Sequence, residues 1–201
     1  ENMIKAILFD IGGILYVGKR EDFYNKLQDF LGIKDNSFAE LFEKNFDELL
    51  LGNKSFFSLV DELNVEVSKK EFETKARQAW LETFIVKKEM VELIENLKEN
   101  YTVCCLSNAS DLDVIMDTET GIDMLFDIYV NSCETHSKKP EQQIFEIALE
   151  KLNVKADECI FIDDREKYLL TPEKMKFKVL LFENVQKLKS ELRLLDIKIE
   201  Y

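Results

Sequence analysis

The chain has 201 residues, 46% of them hydrophobic and 33% charged, with 40 acidic against 27 basic side chains and a formal net charge of −13. That length allows one good core, or a core with a modest insertion, and the composition is that of an ordinary globular protein. The acidic balance excludes nucleic acid as a partner, because backbone phosphates need a basic footprint, and no apolar run approaches a membrane span or a secretory leader.

Glu1 and Asn2, ahead of Met3, are left aside. The first element is IKAILFD, residues 4–10, an apolar run that predicts a buried strand. It ends in a single carboxylate, Asp10, and the chain then turns on Gly12 and Gly13. From about residue 18 to 84 the pattern becomes helix after helix. Phe23, Leu27, Phe30 and Leu31 form one apolar stripe, and Phe38, Leu41, Phe42, Phe46, Leu49 and Leu50 form a second. Ser37 with Glu40, and Ser68 with Glu71, have the spacing of capping boxes. Gly32 and Gly52 stand where helices would stop. A four-helix insertion is expected here, with its aromatic residues and Trp80 serving as its own core.

Past the insertion, Met90, Leu93, Ile94 and Leu97 share a helix face. Four more apolar runs read as buried strands: TVCCLSN at 102–108, FDIYVNS at 126–132, ECIFIDD at 158–164 and FKVLLF at 177–182. Between the second and third of these, Pro140 is expected to open a helix whose apolar face is Ile144, Phe145, Ala148, Leu149 and Leu152. Strands alternating with helices predict an α/β fold, a Rossmann-like, doubly wound parallel sheet covered on both faces. The domain reading is a core of residues 1–17 and 85–201 and a helical cap of residues 18–84. The four cysteines lack metal-ligand spacing and three lie in apolar runs, so they read as buried, reduced side chains of a cytoplasmic protein.

In a parallel sheet the carboxyl ends of the strands lie on one edge, where ligands bind. That edge collects Asp10, Ser107 with Asn108, and Asp163 with Asp164, while Lys139 follows the third strand. Phosphoryl transfer through a covalent aspartyl phosphate calls for this set. A carboxylate attacking a phosphate dianion meets like-charge repulsion, so a divalent cation must bridge them. Mg²⁺ prefers oxygen ligands, which Asp10, Asp164 and a backbone carbonyl can supply. A lysine and a hydroxyl then hold the remaining phosphate oxygens. In a net-acidic chain such local cations are required to hold an anionic substrate. A two-component receiver domain uses similar parts, but its acidic pair follows the first strand and it has no long helical insertion.

With these residues in this order, the chain resembles the haloacid dehalogenase superfamily. FDIGG looks like the first motif, LSN the second, KKPEQQIF the third and FIDD the fourth. The details AWLETF, LSNAS, CETHSKKPEQQIF and FIDDREK are most similar to the subgroup of sugar-phosphate phosphatases whose first motif reads FD-x-G-[GN]. The resemblance implies that Asp10 is the nucleophile, that Ser107 and Asn108 bind the substrate phosphate, and that Lys139 bridges Asp10 and the phosphate. It implies Mg²⁺ held by Asp10, Asp164, the carbonyl of Gly12 and the neighbouring Asp163. The expected activity is a Mg²⁺-dependent phosphatase acting on a small phosphorylated metabolite, with no nucleic-acid or membrane partner. A catalytically retired binder of a phosphate ligand or protein is the alternative. A metal-free haloacid dehalogenase fits less well, because it gains nothing from the late pair of aspartates. Three features depart from the family pattern. Gly12 replaces the acid that usually protonates the leaving group, with His136, the only histidine, the tempting substitute. Tyr168 stands where Asn is usual, and Thr171-Pro172 is expected to make the last helix restart.

Overall fold

The computed structural model describes residues 3–63 and 65–199. In chain order the elements are β1 (Ala6–Phe9), β2 (Tyr16–Val17), α1 (Arg20–Leu31), α2 (Ser37–Leu50), α3 (Lys69–Thr83), β3 (Ile85–Val86), α4 (Lys88–Lys98), β4 (Thr102–Ser107), α5 (Asp111–Thr120), β5 (Ile128–Asn131), α6 (Ser132–Thr135), α7 (Gln142–Leu152), β6 (Cys159–Asp163), α8 (Glu166–Lys174), β7 (Lys178–Leu181) and α9 (Val185–Leu194). Every one of the five apolar runs forms a strand of one sheet, in the order β5-β4-β1-β6-β7. All four pairings in it are parallel. The fold is therefore the expected doubly wound α/β sheet, with β1 at its centre.

Strand alternation explains why both faces are covered. Ile7 and Phe9 point into one apolar cluster, with Met90 and Leu93 of α4 and Leu188 of α9. Ala6 and Leu8 point into the other, with Ile144 and Phe145 of α7. Cys104 and Cys105 follow the same rule and lie in opposite clusters, so these neighbouring thiols do not face each other.

The segment between β2 and β3 is helical, and its aromatic side chains form its interior. Phe38, Phe56 and Phe72 are fully buried, and Phe56 stacks on Phe72 with ring centroids 5.8 Å apart. Each such side chain contributes roughly 1.5–3 kcal/mol over an exposed position. This interior is continuous with the sheet face that holds Ile7 and Phe9. Of the four helices expected here, three are α-helices, and Phe56–Glu62 forms 3₁₀ turns instead. Its start is tied to α5, where Asp111 accepts from Ser55 Oγ at 2.5 Å and from Phe56 N at 2.8 Å.

Local chemistry refines the expected helix ends. Ser68 caps α3 by accepting from Glu71 N at 3.2 Å. Ser37 does not cap: it is the first residue of α2, and its N–H goes to Asp35 Oδ1. Pro140 does not open α7, which begins at Gln142, and the Lys139–Pro140 peptide is cis. Pro172 sits inside α8 without breaking it: it forgoes the bond its own N–H would make, and the helix ends at Lys174, so little of it follows the ring. No described helix is long and apolar enough to cross a membrane.

Candidate active site

Lys139 is the hub of the strand-end edge. Its side chain is 1% exposed, with Nζ 2.9 Å from Asp10 Oδ1 and 2.7 Å from Asp163 Oδ2. Asp10 follows β1 and is fixed by its own N–H, which donates to the Ile162 carbonyl at 2.9 Å. The rings of Phe161 and Tyr168 lie 5.4 Å and 5.2 Å from the ammonium. Tyr168, one of the departures from pattern, thus walls in the lysine. The Asn108 side chain is spent on the backbone of Lys139, accepting from its N–H at 2.7 Å and donating to its carbonyl at 3.0 Å. Asn108 acts on this arrangement by holding the lysine in register.

The two late aspartates divide their tasks. Both oxygens of Asp163 are engaged, one by Lys139 and one by the N–H of Arg165 at 2.9 Å. Burial pushes its carboxyl up to about 6, with Lys139 opposing that rise and Asp10 adding to it. Asp164 is raised too, by burial and then by the charge of Asp10. For Lys139, burial alone would lower the pKa, but Asp10 and Asp163 outweigh it and the ammonium is held charged.

Asp164 Oδ1 is buried with no hydrogen-bond partner among the described residues. Such an oxygen is costly unless something satisfies it. Carboxylate oxygens of Asp10, Asp163 and Asp164 lie within 4.8 Å of one another, an oxygen-only donor set of the kind that suits Mg²⁺. Gly13 makes room for it. Its φ is +75°, and a Cβ there would fall 2.2 Å from Asp164 Oδ2. Gly12 has no such constraint, since a Cβ would meet only Asp10 Oδ2 at 3.7 Å.

Asp10, Gly12, Gly13, Ser107, Asn108, Lys139 and Asp164 line one cavity of about 400 Å³. Arg20 of α1, Phe46 of α2 and Trp80 of α3 line it as well, so the helical segment forms part of its wall. His136 is outside this lining. Its ring Nδ1 pairs with the Leu51 carbonyl at 2.7 Å, at the end of α2, which leaves it no part in proton donation to the cavity. Three features were not anticipated from the sequence. Asp117 is buried between two tyrosines, accepting from Tyr16 at 2.5 Å and from Tyr129. Trp80 donates to Asp113 at 3.1 Å. Arg20 lies over the Phe46 ring at 5.0 Å. None of these pairs is close in sequence, so no local pattern marks them.

Comparison with known proteins converges on one family. The sequence profile of the haloacid dehalogenase-like hydrolases matches residues 4–168. Among curated proteins, the rat bifunctional epoxide hydrolase 2 is 29% identical over 72 residues, covering 33% of this chain and 13% of that protein. The Drosophila melanogaster rhythmically expressed gene 2 protein is 34% identical over 82 residues, covering 37% of this chain and 32% of that protein. The matches thus span a third or less of the length of these relatives. A HAD-family enzyme from Bacteroides thetaiotaomicron, solved in complex with magnesium and inorganic phosphate, superposes with a TM-score of 0.77 at 23% identity, over 92% of this chain and 98% of that one. That likeness is one of fold.

Proposed function

The chain belongs to the haloacid dehalogenase-like hydrolases, and on that premise we propose that it is a Mg²⁺-dependent phosphatase for a small phosphate ester. The observation that carries this reading is Lys139 bridging Asp10 and Asp163 beside the partnerless oxygen of Asp164, all in one cavity. In this reading Asp10 attacks phosphorus, the bond to the leaving oxygen breaks, and an aspartyl phosphate forms that water then hydrolyses. Lys139 and Ser107 hold phosphate oxygens, Asp163 and Asn108 position the lysine, and Asp10, Asp164 and the Gly12 carbonyl would hold the metal. Bound there, Mg²⁺ would offset the repulsion between Asp10 and the phosphate. Residues 18–84 act as the cap over a core of residues 1–17 and 85–201, and the buried thiols suit a cytoplasmic setting.

A sugar phosphate, and an anomeric one, is the preferred substrate. Gly12 cannot protonate a leaving group, and a better leaving group leans less on that proton. The test is phosphate release from a panel of phosphorylated metabolites, with Mg²⁺ and with EDTA, beside Asp10→Asn. Metal-dependent release lost in the variant supports the phosphatase. No release above the variant from any member overturns it in favour of a retired binder, and efficient turnover of simple alkyl phosphates alone overturns the preference for sugars.

A further inference from the structure

Charge around the cavity is unevenly satisfied. Two of its carboxylates, Asp113 and Asp117, are already occupied: Asp113 accepts from Trp80 Nε1, Ser110 N and Ser110 Oγ, and Asp117 from two tyrosines. Three cations in the same lining, Lys19, Arg20 and Arg165, have no carboxylate within ion-pair distance among the described residues. Lys26 and Lys138, by contrast, are paired, with Glu82 and Asp47. The lining matches four carboxylates, Asp10, Asp113, Asp117 and Asp164, with four cations, Lys19, Arg20, Lys139 and Arg165, a richer share of positive charge than the 27 basic against 40 acidic residues of the whole chain.

The two guanidiniums are also held in place by aromatic rings, with no ion pair among the described residues. Arg20 lies over Phe46 at 5.0 Å and Phe42 at 5.5 Å, and Arg165 lies over Tyr168 at 5.9 Å. Phe46 and Tyr168 themselves line the cavity. Stacking on an aromatic face fixes the planar fork while leaving N–H donors at its edge for carboxylate or phosphate oxygens, of which Arg20 spends one on the Tyr24 hydroxyl, and a pre-ordered side chain loses less entropy on binding. The two come from different parts of the chain, Arg20 from α1 and Arg165 from the loop after β6.

Resting on the phosphatase reading, we propose that the substrate carries a second anionic group, a carboxylate or another phosphate, on its leaving portion, and that Arg20 and Arg165, with Lys19 beside them, recognise it. The reacting phosphate is taken by Lys139, and the second anion by the guanidiniums of the same lining. The substrate class is a small bis-anionic phosphate ester, such as a sugar bisphosphate or a phosphorylated sugar acid.

Binding can be read without turnover, because Trp80 is the only tryptophan and lines this cavity. The full chain with Mg²⁺ is titrated with ethylphosphonate, phosphonoacetate and ethylenediphosphonate, following Trp80 fluorescence. At least one of the two bis-anionic probes should bind about tenfold tighter than ethylphosphonate, which corresponds to about 1.4 kcal/mol. Preference for phosphonoacetate names a carboxylate, and preference for the diphosphonate names a second phosphate. Arg20→Gln and Arg165→Gln, made separately so that one misfolded variant does not decide the matter, should each remove most of that advantage, and Arg20→Lys should keep part of it. Equal affinity for all three probes, or an advantage untouched by both glutamine variants, overturns the proposal. If the advantage is present but no ester releases phosphate above Asp10→Asn, the anion site stands and the phosphatase reading falls. If esters are hydrolysed without any advantage for the second anion, the reverse holds.

Discussion

Replacing Gly13 by alanine separates the backbone role of this glycine from its role at the metal. Gly13 and Gly121 have nearly the same left-handed backbone, with φ of +75° and +76°, but a Cβ at 121 meets nothing within 4 Å, whereas one at 13 falls 2.2 Å from Asp164 Oδ2 and 2.9 Å from its Cγ. Both alanines incur the left-handed cost of roughly 1–2 kcal/mol. Only the first must also move a carboxylate, from 2.2 Å out to the ordinary contact range that begins at 3.4 Å. Mg²⁺ demands close octahedral geometry at about 2.0–2.1 Å, so a shift of that size should weaken its binding by about 100-fold, at the upper end of what disturbing a ligand's surroundings costs. Urea unfolding with and without Mg²⁺ measures the difference. At a free Mg²⁺ concentration about 100 times its dissociation constant, the natural protein and Gly121→Ala should each gain about 2.7 kcal/mol. Gly13→Ala, at the same concentration, should gain only about 0.4 kcal/mol. An equal Mg²⁺ gain in Gly13→Ala would refute the placement of the metal against Asp164.

Gly12→Asp restores the missing acid at a position where a Cβ meets only Asp10 Oδ2 at 3.7 Å. Since general acid help is worth roughly 10²–10⁴ in rate, kcat on alkyl phosphates should rise while that on p-nitrophenyl phosphate barely moves, and a uniform response in the two substrates would count against it. Lys139→Met leaves Asp10 and Asp163 buried without their cation, and should lower stability in urea by about 3–5 kcal/mol. A loss below about 1 kcal/mol would mean that the lysine is not what neutralises them. Asp117 is raised by burial from its ordinary 3.8 to about 7, with Tyr16 and Tyr129 opposing and Asp113 and Asp123 adding to the rise. Its stabilising, protonated form is complete below about pH 4 and lost as pH rises through 7, a swing of about 4 kcal/mol at about 1.4 kcal/mol for each pKa step. The stability of Asp117→Asn relative to the natural protein should therefore climb between pH 5 and pH 8 in urea titrations, and a flat difference would show that Asp117 stays ionised throughout.

Much of this molecule is legible in its sequence because a parallel sheet buried on both faces writes its strands as apolar runs. The polar residues closing IKAILFD, TVCCLSN and ECIFIDD stand out against them, and the fold brings those residues together. What escapes such reading is anything set by tertiary contact. β2 and β3 are two residues each, too short to show a period. The pair Asp163-Asp164 does not say which carboxylate meets Lys139, although strand alternation sends neighbours to opposite sides and was a usable hint. Asn108 looks like a ligand-binding amide, and only the folded chain shows it clamped to the backbone of Lys139. The Tyr16–Asp117 contact spans 101 positions and has no local signature. Pro172 shows the opposite failure, a strong local rule overridden near a helix end.

The small antiparallel ribbon has an evolutionary reading. Val17, where the chain leaves for the helical segment, is the direct partner of Ile85, where it returns. The two attachment points are thus neighbours at strand spacing, about 4.8 Å. Replacing everything between them with a tight turn, or with a longer or differently shaped module, would leave the strand pairing of the five-stranded sheet in place, provided the apolar face that adjoins the segment is covered again. The parts that would hold the reacting phosphate, Asp10, Ser107, Lys139 and Asp164, all lie outside residues 18–84, whereas Arg20, Phe46 and Trp80 lie inside them. Recombination at a single seam can therefore change what the cavity accepts while inheriting intact the chemistry beneath it.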